Sequence, residues 1–245
     1  MIILNDEIDV EACLRYKLLL EEILNERIQR KNFIGHKESI VLHNYLRDSL
    51  ILEECICPPT INVLLNTLLD ENYTLTNMVA RNRTLSYSDS IDIGNDMQQQ
   101  IGYGWHVDAR KGSYGMPSIN TSYITMLFLE DLNEETSNTL YIPKSHKRKQ
   151  VKISEISKNE YQEIRGRAGT IAIMDANLIH TGSIAKSKSR WTIFNLFSHW
   201  HVKPYFDFPA MFEKSAHHLS VQTRKLLHFN STPPLNENDR INTLK

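Results

Sequence analysis

The stretch "GYGWHVDARKG", residues 102–112, places a histidine and an aspartate two positions apart. In a β-strand, side chains at positions i and i+2 point to the same face, so His106 and Asp108 are predicted to share one. An imidazole and a carboxylate on one face can form a buried polar pair, a proton relay, or two ligands of one metal ion. The spacing by itself leaves these three alternatives open.

The composition limits the class of protein. The chain has 245 residues, of which 41% are hydrophobic, and this is enough for a single domain with a substantial core. The net charge of −1 argues against nucleic acid as a partner. A membrane span is not expected, since no apolar run approaches the ~18 residues that it needs.

The N-terminus and the cysteines indicate a compartment. The segment "MIILNDEIDV" has no basic residues before its acidic ones, so no signal peptide is predicted. Cys13, Cys55 and Cys57 are not accompanied by a second pair of ligands at the spacing of a zinc site, and we expect free thiols. A reducing, cytoplasmic location follows as an expectation.

The first part of the chain is predicted to be helical. Apolar residues recur at helical spacing over 11–30, and residues 38–52 and 60–70 are also predicted to be helices, separated by Pro58 and its neighbouring proline. Together these helices make residues 1–72 a predicted support layer.

After residue 73 the pattern changes to short runs rich in β-branched and aromatic residues, divided by polar or glycine-containing loops. The runs are "YTLTNMVARN", "TSYITMLFL", "TLYIP", "GTIAIMD" and "RWTIFNLFSHW". Helices followed by such strands predict an antiparallel barrel or sandwich over 73–212. One late helix is predicted over 213–229, and residues 230–245 are predicted to be a tail.

A metal site built on His106 and Asp108 needs a third donor from a distant strand. His180 is well placed, because it ends the apolar run "GTIAIMDANLIH". His199 and His201 in "SHWHVKP" also share a strand face and form a competing pair. That pair has no nearby carboxylate in the sequence, and we therefore favour His180.

Two histidines and one carboxylate are the ligand set that leaves three positions of Fe(II) open. A 2-oxoacid can occupy two of these positions, and its far carboxylate then needs a cation at a fixed distance. Arg190, ten residues after His180, opens the next strand, and the planar fork of arginine suits that task.

Three segments carry a family resemblance. "WHVD" resembles a Trp-His-x-Asp ligand strand, and "FLEDLNEETSNTLYIPKSHK", residues 128–147, resembles a stretch ending in Leu-x-x-x-Pro-Gly-Ser-His-Lys. "GTIAIMDANLIHTGSIAKSKSR", residues 169–190, resembles a closing strand with a distal histidine and an oxoacid-binding arginine. From Trp105 to Phe197 the sequence resembles the phytanoyl-CoA dioxygenase family of Fe(II)/2-oxoglutarate-dependent oxygenases.

The resemblance implies a double-stranded β-helix, that is, a jelly-roll barrel of the cupin-like kind. It implies that His106, Asp108 and His180 bind iron and that Arg190 binds the C5 carboxylate of 2-oxoglutarate. The implied reaction uses O2, releases succinate and CO2, and hydroxylates or desaturates a metabolite. Halogenating relatives have a small residue at the position of Asp108, so halogenation is not expected. A cupin-like metal enzyme without 2-oxoglutarate is the alternative, and it would not need Arg190.

The chain also departs from the family pattern. Lys144 stands where the family has the glycine of Pro-Gly-Ser-His, and Asn138-Thr139 replaces Asn-Gly. The spacing between the distal histidine and the arginine differs by one residue, and Ser183 is the predicted second contact to 2-oxoglutarate.

Two long polar segments, 86–104 and 109–120, flank the predicted ligand strand. Long loops in such positions often form binding loops or lids, so we expect them to select the substrate. Their hydroxyl and amide groups favour a small polar molecule as the partner.

Overall fold

The computed structural model describes residues 1–30, 34–36, 39–83, 104–109, 121–147, 159–183, 185 and 187–231. Within them the strands are β1 Ile2–Leu4, β2 Ile34–His36, β3 Ser39–His43, β4 Tyr73–Arg83, β5 Ser122–Phe128, β6 Thr139–Tyr141, β7 Gln162–Glu163, β8 Ile171–Asp175, β9 His180–Gly182 and β10 Arg190–His199. The α-helices are α1 Val10–Gln29, α2 Pro59–Leu69, α3 Phe208–Phe212 and α4 Val221–Leu226. Short 3-10 turns span Tyr45–Arg47, Leu50–Cys55, Ser145–Lys147 and Ala216–His218.

The larger sheet is antiparallel and has the strand order β1-β8-β5-β10-β4-β3-β2. Its central strand, β10, pairs with β4 on one side and with β5 on the other. Trp191, Ile193 and Phe197 of β10 are fully buried on one face, whereas Phe194 and Leu196 line a cavity on the other. This period of two gives the sheet a structural face and a cavity face.

The structural face is covered by the N-terminal helices. Cys13, Tyr16 and Leu20 of α1 belong to the same buried cluster as Ile61 and Leu65 of α2 and the outer residues of β10. Each fully buried leucine or isoleucine contributes about 1.5–3 kcal/mol through removal of apolar surface from water. No helix in the described part of the chain is long and apolar enough to cross a membrane.

The smaller sheet has the order β7-β6-β9 and is also antiparallel. A single bridge between His106 and His180 adds one more residue pair at its edge. Residues of both sheets line the cavity, which therefore lies between them. The predicted mainly-β fold is confirmed, although the strands among the described residues form two separate sheets that do not close into one continuous barrel.

A β-bulge in β4 determines which residues of this strand face the core and which face the cavity. Leu196 pairs with Asn77, but the next residue, Phe197, pairs with Leu75, so Thr76 is the extra residue. The Thr76 hydroxyl donates a hydrogen bond to the carbonyl of Leu196 at 3.0 Å. The bulge keeps Leu75 in the core and places Asn77 on the cavity wall.

The helices predicted over 11–30 and 60–70 and the five strand-like runs are confirmed. The helix predicted over 38–52 is wrong, because "SIVLH" forms β3 and extends the larger sheet beside β4. The end of the predicted helix lies in the 3-10 turn Leu50–Cys55. The Asn195 side chain donates a hydrogen bond to the carbonyl of Cys55 at 3.0 Å, so this carbonyl has a partner without an α-helix. The strands β1 to β3 also mean that residues 1–72 are not purely helical.

The single helix predicted over 213–229 is also wrong. The segment forms a 3-10 turn and then α4, because the Ser220 side chain accepts a hydrogen bond from Thr223 N and starts a new helix. His228 follows with φ +67°, which ends the helix. Of the predicted tail, residues 232–245 lie outside the described residues.

The exposed residue Lys144 has φ +61°, the left-handed conformation in which a Cβ atom is strained. We expect Lys144→Gly to raise the free energy of unfolding by about 0.5–1 kcal/mol. The strain energy that glycine removes from the folded state exceeds the entropic free energy that its flexibility adds to the stability of the unfolded chain. Urea denaturation measures the change. The control is Lys144→Ala, which removes the same charge but keeps the Cβ atom; an equal gain in both variants would show that charge, and not backbone strain, is responsible.

Candidate active site

The side chains of His106, Asp108 and His180 meet at the cavity. One potential ligand atom from each lies within 4.8 Å of the others. Asp108 Oδ2 is 3.1 Å from His180 Nε2, and Asp108 Oδ1 is 3.8 Å from His106 Nε2. The described residues contain no second group of three histidine, cysteine or acidic side chains with this spacing.

Backbone hydrogen bonds hold the two histidines together. His106 N donates to the His180 carbonyl at 2.9 Å, and His180 N donates to the His106 carbonyl at 3.0 Å. Asp108 N donates to the carbonyl of Ala176 at 3.0 Å. In the described residues 104–109, the strand predicted around His106 forms a single bridge, with His180. The side chains of His106 and Asp108 nevertheless line the same cavity, as the prediction requires.

Both imidazoles are oriented by backbone carbonyls. His106 Nδ1 lies 3.0 Å from the oxygen of Gly104, and His180 Nδ1 lies 3.0 Å from the oxygen of Leu178. A proton on Nδ1 that donates to a carbonyl leaves Nε2 available as a ligand. Gly104 has φ +76°, a conformation that glycine adopts without a steric cost.

The protonation of the three groups is coupled. Burial lowers the pKa of His106, and the neighbouring His180 lowers it further, which favours the neutral imidazole. Burial raises the pKa of the Asp108 carboxyl, but the hydrogen bond from His180 and the charges of His180, His106 and Arg81 together hold this pKa below its usual value. The same hydrogen bond raises the pKa of His180 against the effect of its burial. A metal ion that bound here would replace the shared proton.

The "IPKSHK" segment, residues 142–147, holds the backbone next to His180 in place through hydrogen bonds. The Ser145 hydroxyl accepts a hydrogen bond from Ile179 N at 2.8 Å, and Ile142 N donates to the Ile179 carbonyl at 2.9 Å. These contacts fix the residue that immediately precedes His180. His146, within the same segment, is not part of the three-residue group.

Arg190 lines the same cavity and is 3% exposed. Its Nε donates to the carbonyl of Ser137 and its Nη1 to the hydroxyl of Thr192. Its Cζ lies 5.3 Å from the centre of the Phe128 ring. These contacts hold the guanidinium in one orientation on the cavity wall.

Ser183 is placed differently from the prediction. Its hydroxyl accepts a hydrogen bond from Asn138 N at 2.7 Å, and it is not among the residues that line the cavity. The buried Asn138 side chain also donates to the Asn133 carbonyl at 2.7 Å. Ser183 therefore supports the loop that carries Ser137, and a direct contact to the cosubstrate stays a prediction without geometric support.

The cavity has a volume of about 280 Å³, which is small for a ligand site. The sequence reasoning missed several of its polar residues, namely His43, Asn77, Arg81, Thr139 and Tyr205. Alternation along the predicted strand 73–82 was the available signal for Asn77 and Arg81. His43 was expected on a helix, and the wrong helix over 38–52 hid its position. Residues 84–103 and 110–120, which contain most of the predicted substrate loops, lie outside the described residues.

The model of the phytanoyl-CoA dioxygenase (PhyH) family matches residues 11–191. The chain belongs to this family. The match includes His106, Asp108, His180 and Arg190, and the class of reaction predicted from the sequence, iron- and 2-oxoglutarate-dependent oxygenation, is confirmed. No curated protein matches the sequence significantly.

Solved structures with the same fold are distant in sequence. HygX from Streptomyces hygroscopicus is 10% identical, with a TM-score of 0.62 over 85% of this chain and 86% of that one. EctD from S. alaskensis is 14% identical, with a TM-score of 0.60 over 83% and 75%. The epimerase SnoN from nogalamycin biosynthesis is 15% identical, with a TM-score of 0.54 over 80% and 76%. These likenesses confirm the jelly-roll fold.

We expect His106→Ala and His180→Ala to abolish binding of Ni(II) or Fe(II), because two remaining donors hold a divalent ion poorly. Calorimetric titration measures the affinity, and thermal unfolding checks that the fold is retained. His199→Ala is the matched control, since His199 stacks on His201 with ring centres 5.7 Å apart and lies outside the group. Loss of metal in the control, with binding retained in His106→Ala, would transfer the site to the competing pair.

Proposed function

We propose that this protein is an Fe(II)/2-oxoglutarate-dependent dioxygenase that hydroxylates or desaturates a small-molecule metabolite, with release of succinate and CO2. The observation that carries the proposal is the juxtaposition of His106, Asp108 and His180 with the buried Arg190 in one cavity. The three donors would hold the metal, and Arg190 would hold the cosubstrate.

The donor set fits iron. Two imidazole nitrogens and one carboxylate oxygen within 4.8 Å of one another can bind one face of an ion and leave its other positions open. Iron held by these three residues would supply the activation of O2 and a binding position for the 2-oxoacid. SnoN has been crystallised with Fe3+, alpha ketoglutarate and nogalamycin RO, and HygX with nickel and 2-oxoglutarate. These relatives support the assignment of the same cosubstrate here.

Arg190 suits a carboxylate at the far end of the cosubstrate. A guanidinium presents donors in a planar fork that matches a carboxylate, and burial strengthens the attraction. The contacts to Ser137 and Thr192 orient the group before the ligand arrives. Less ordering is then needed on binding, which favours affinity.

Part of the cavity wall is apolar. Between the two sheets lie the side chains of Ile124, Met126, Met174, Phe194 and Leu196. An apolar lining leaves few groups that can react with or solvate an intermediate. The protein's part is therefore to hold the ligands, keep the site dry and orient the C–H bond of the substrate.

The alternative is a cupin-like metal enzyme that does not use 2-oxoglutarate. Such an enzyme needs the three donors but has no use for a buried cation beside them. Arg190 is 3% exposed and lines the same cavity as the three donors, where its planar fork of donors can meet a carboxylate. Its position therefore favours the 2-oxoglutarate-dependent reaction.

We further propose that the protein acts in the cytoplasm and does not bind nucleic acid. Cys13, Cys55 and Cys57 are all free thiols. Free thiols are usual in reducing compartments, which supports this location.

We expect the purified chain to convert 2-oxoglutarate to succinate when Fe(II), ascorbate and O2 are present, with stimulation by its substrate in a metabolite panel. Since Asp108 occupies the carboxylate position, the product should gain oxygen or lose two hydrogens and should contain no chlorine. Mass spectrometry in chloride buffer identifies the product. His106→Ala is the inactive control, and a chlorinated product from the wild type would show that Asp108 is not a metal ligand.

We expect Arg190→Ala to weaken 2-oxoglutarate binding by about 2–5 kcal/mol while metal affinity is retained, because a buried carboxylate loses its partner. Arg190→Lys should recover only part, since a point charge does not replace two parallel hydrogen bonds. The KM for 2-oxoglutarate and calorimetry give the values. Arg165→Ala removes an exposed arginine that pairs with Glu163 and serves as control. Equal cosubstrate affinity in Arg190→Ala and wild type would favour the cupin-like alternative.

A further inference from the structure

We propose that a small cavity beside Asp108 binds a hydrogen-bond-donating group of the substrate, which makes the substrate an alcohol or an amine. The inference rests on the proposed function and adds the chemical class of the substrate. It assigns a role to the side-chain hydroxyls of Thr76, Ser122 and Ser198, which the metal and cosubstrate sites do not use.

The small cavity, which we call the side cavity, adjoins the main cavity. Asp108, Leu196 and Tyr205 line both of them. A group bound in the side cavity would therefore lie next to a residue that holds the metal. The side cavity has a volume of about 60 Å³. Since a water molecule occupies about 30 Å³ in the liquid, there is room for one end of a small molecule.

Three hydroxyl groups of the side cavity form a hydrogen-bonded row. Ser122 Oγ lies 2.7 Å from Ser198 Oγ, which in turn lies 3.1 Å from Thr76 Oγ1. All three residues line the side cavity, and each is at most 7% exposed. They belong to β5, β10 and β4, which are neighbouring strands of the larger sheet. The sheet therefore holds the row in place.

The direction of the hydrogen bonds in this row is fixed at Thr76. A hydroxyl group has one hydrogen and can donate once. The Thr76 hydroxyl donates to the carbonyl of Leu196 at 3.0 Å, so Ser198 must donate to Thr76. Ser122 must then donate to Ser198. The Ser122 oxygen keeps its lone pairs but has no hydrogen left for another partner.

The end of the row at Ser122 is thus an acceptor. In the part of the chain that the structure describes, Ser198 is the only hydrogen-bond partner of the Ser122 side chain. A hydroxyl or amine group of a ligand can donate to this oxygen. A carboxylate or ketone oxygen carries no hydrogen, so it would place a second acceptor against the first, which is costly away from water. The side cavity therefore selects a donor.

The apolar residues of the side cavity suit the carbon that carries this donor. Leu196 and Val202 line the side cavity together with the hydroxyl groups. Leu196 also lines the main cavity, so a carbon chain can pass along it from one cavity to the other. One end of the substrate is then held at Ser122 while the rest stays in the main cavity.

The test uses the full chain loaded with Ni(II) and 2-oxoglutarate, so that binding is measured without turnover. The probes are pairs of an alcohol and its ketone, namely 2-propanol with acetone, 2-butanol with butanone, and 1-amino-2-propanol with aminoacetone. The two members of a pair have the same heavy atoms and differ in the donor. NMR titration measures their affinities, and line broadening with Ni(II) relative to Zn(II) identifies probes that lie near the metal.

The variants are Ser122→Ala, Thr76→Val and the control Thr67→Val, which removes an exposed hydroxyl on α2. Thr76→Val keeps the shape of the side chain but frees the hydrogen of Ser198 to donate to Ser122. The hydrogen of Ser122 is then free to donate to a ketone. A role of Thr76 in stability alone would not produce such a gain in ketone binding.

We expect at least one alcohol to bind wild type about tenfold more tightly than its ketone, with broadening by Ni(II). Ser122→Ala should lose this preference. Thr76→Val should bind the ketone about fivefold or more tightly than wild type does, and Thr67→Val should match wild type. The affinities for Ni(II) and 2-oxoglutarate should be equal in all four proteins.

Three outcomes would overturn the inference. The first is a wild type that binds no alcohol of the panel more tightly than its ketone, which would mean that the side cavity holds water alone. This comparison needs no variant, so it holds even where a variant does not fold. The second is a Ser122→Ala variant that keeps the preference for the alcohol, and the third is a Thr76→Val variant without a gain in ketone binding. A wild type that binds neither Ni(II) nor 2-oxoglutarate would instead refute the proposed function itself.

Discussion

The reciprocal hydrogen bonds between the backbones of His106 and His180 are the constraint on which the site depends. They join a short segment without regular structure to the edge of the smaller sheet, at 2.9 and 3.0 Å. Two backbone bonds of this kind position both imidazoles at once, and the carbonyls of Gly104 and Leu178 then fix the rotation of each ring. The donor geometry thus comes from the main chain, which is less adaptable than side chains and better suited to a preorganised centre.

Much of this arrangement could be predicted from the sequence, because the central strands are short runs rich in β-branched and aromatic residues between polar or glycine-containing loops. The runs that form β5, β8 and β10 were found for that reason. The segment "SIVLH" was not found, since five residues carry too little periodicity to be separated from a helix, and its strand depends on pairing with β4. Alternation within β4 groups Asn77 with Arg81, but the bulge at Thr76 reverses the alternation relative to Leu75, and no local sequence pattern predicts that bulge.

The fold does not decide the outcome of the reaction. SnoN is an epimerase, although it shares this architecture with a TM-score of 0.54. What differs between such proteins is the part of the cavity that faces the substrate. In this chain, the neighbouring strands β3 and β4 of the larger sheet contribute His43, Asn77 and Arg81 to the cavity wall.

The bulge at Thr76 determines which substitutions in β4 can alter the cavity during evolution without unfolding the protein. Met78 and Ala80 are fully buried in the core, whereas Asn77, Val79 and Arg81 line the cavity. Alternate residues of this part of β4 therefore serve different purposes: one set stabilises the core and the other shapes the cavity. Substitutions at positions 77, 79 and 81 can therefore change which molecules the cavity accepts while the buried residues keep the fold stable. A deletion of one residue at the bulge would instead turn the core residues toward the cavity and the cavity residues toward the core, so that stability and selectivity would be lost together.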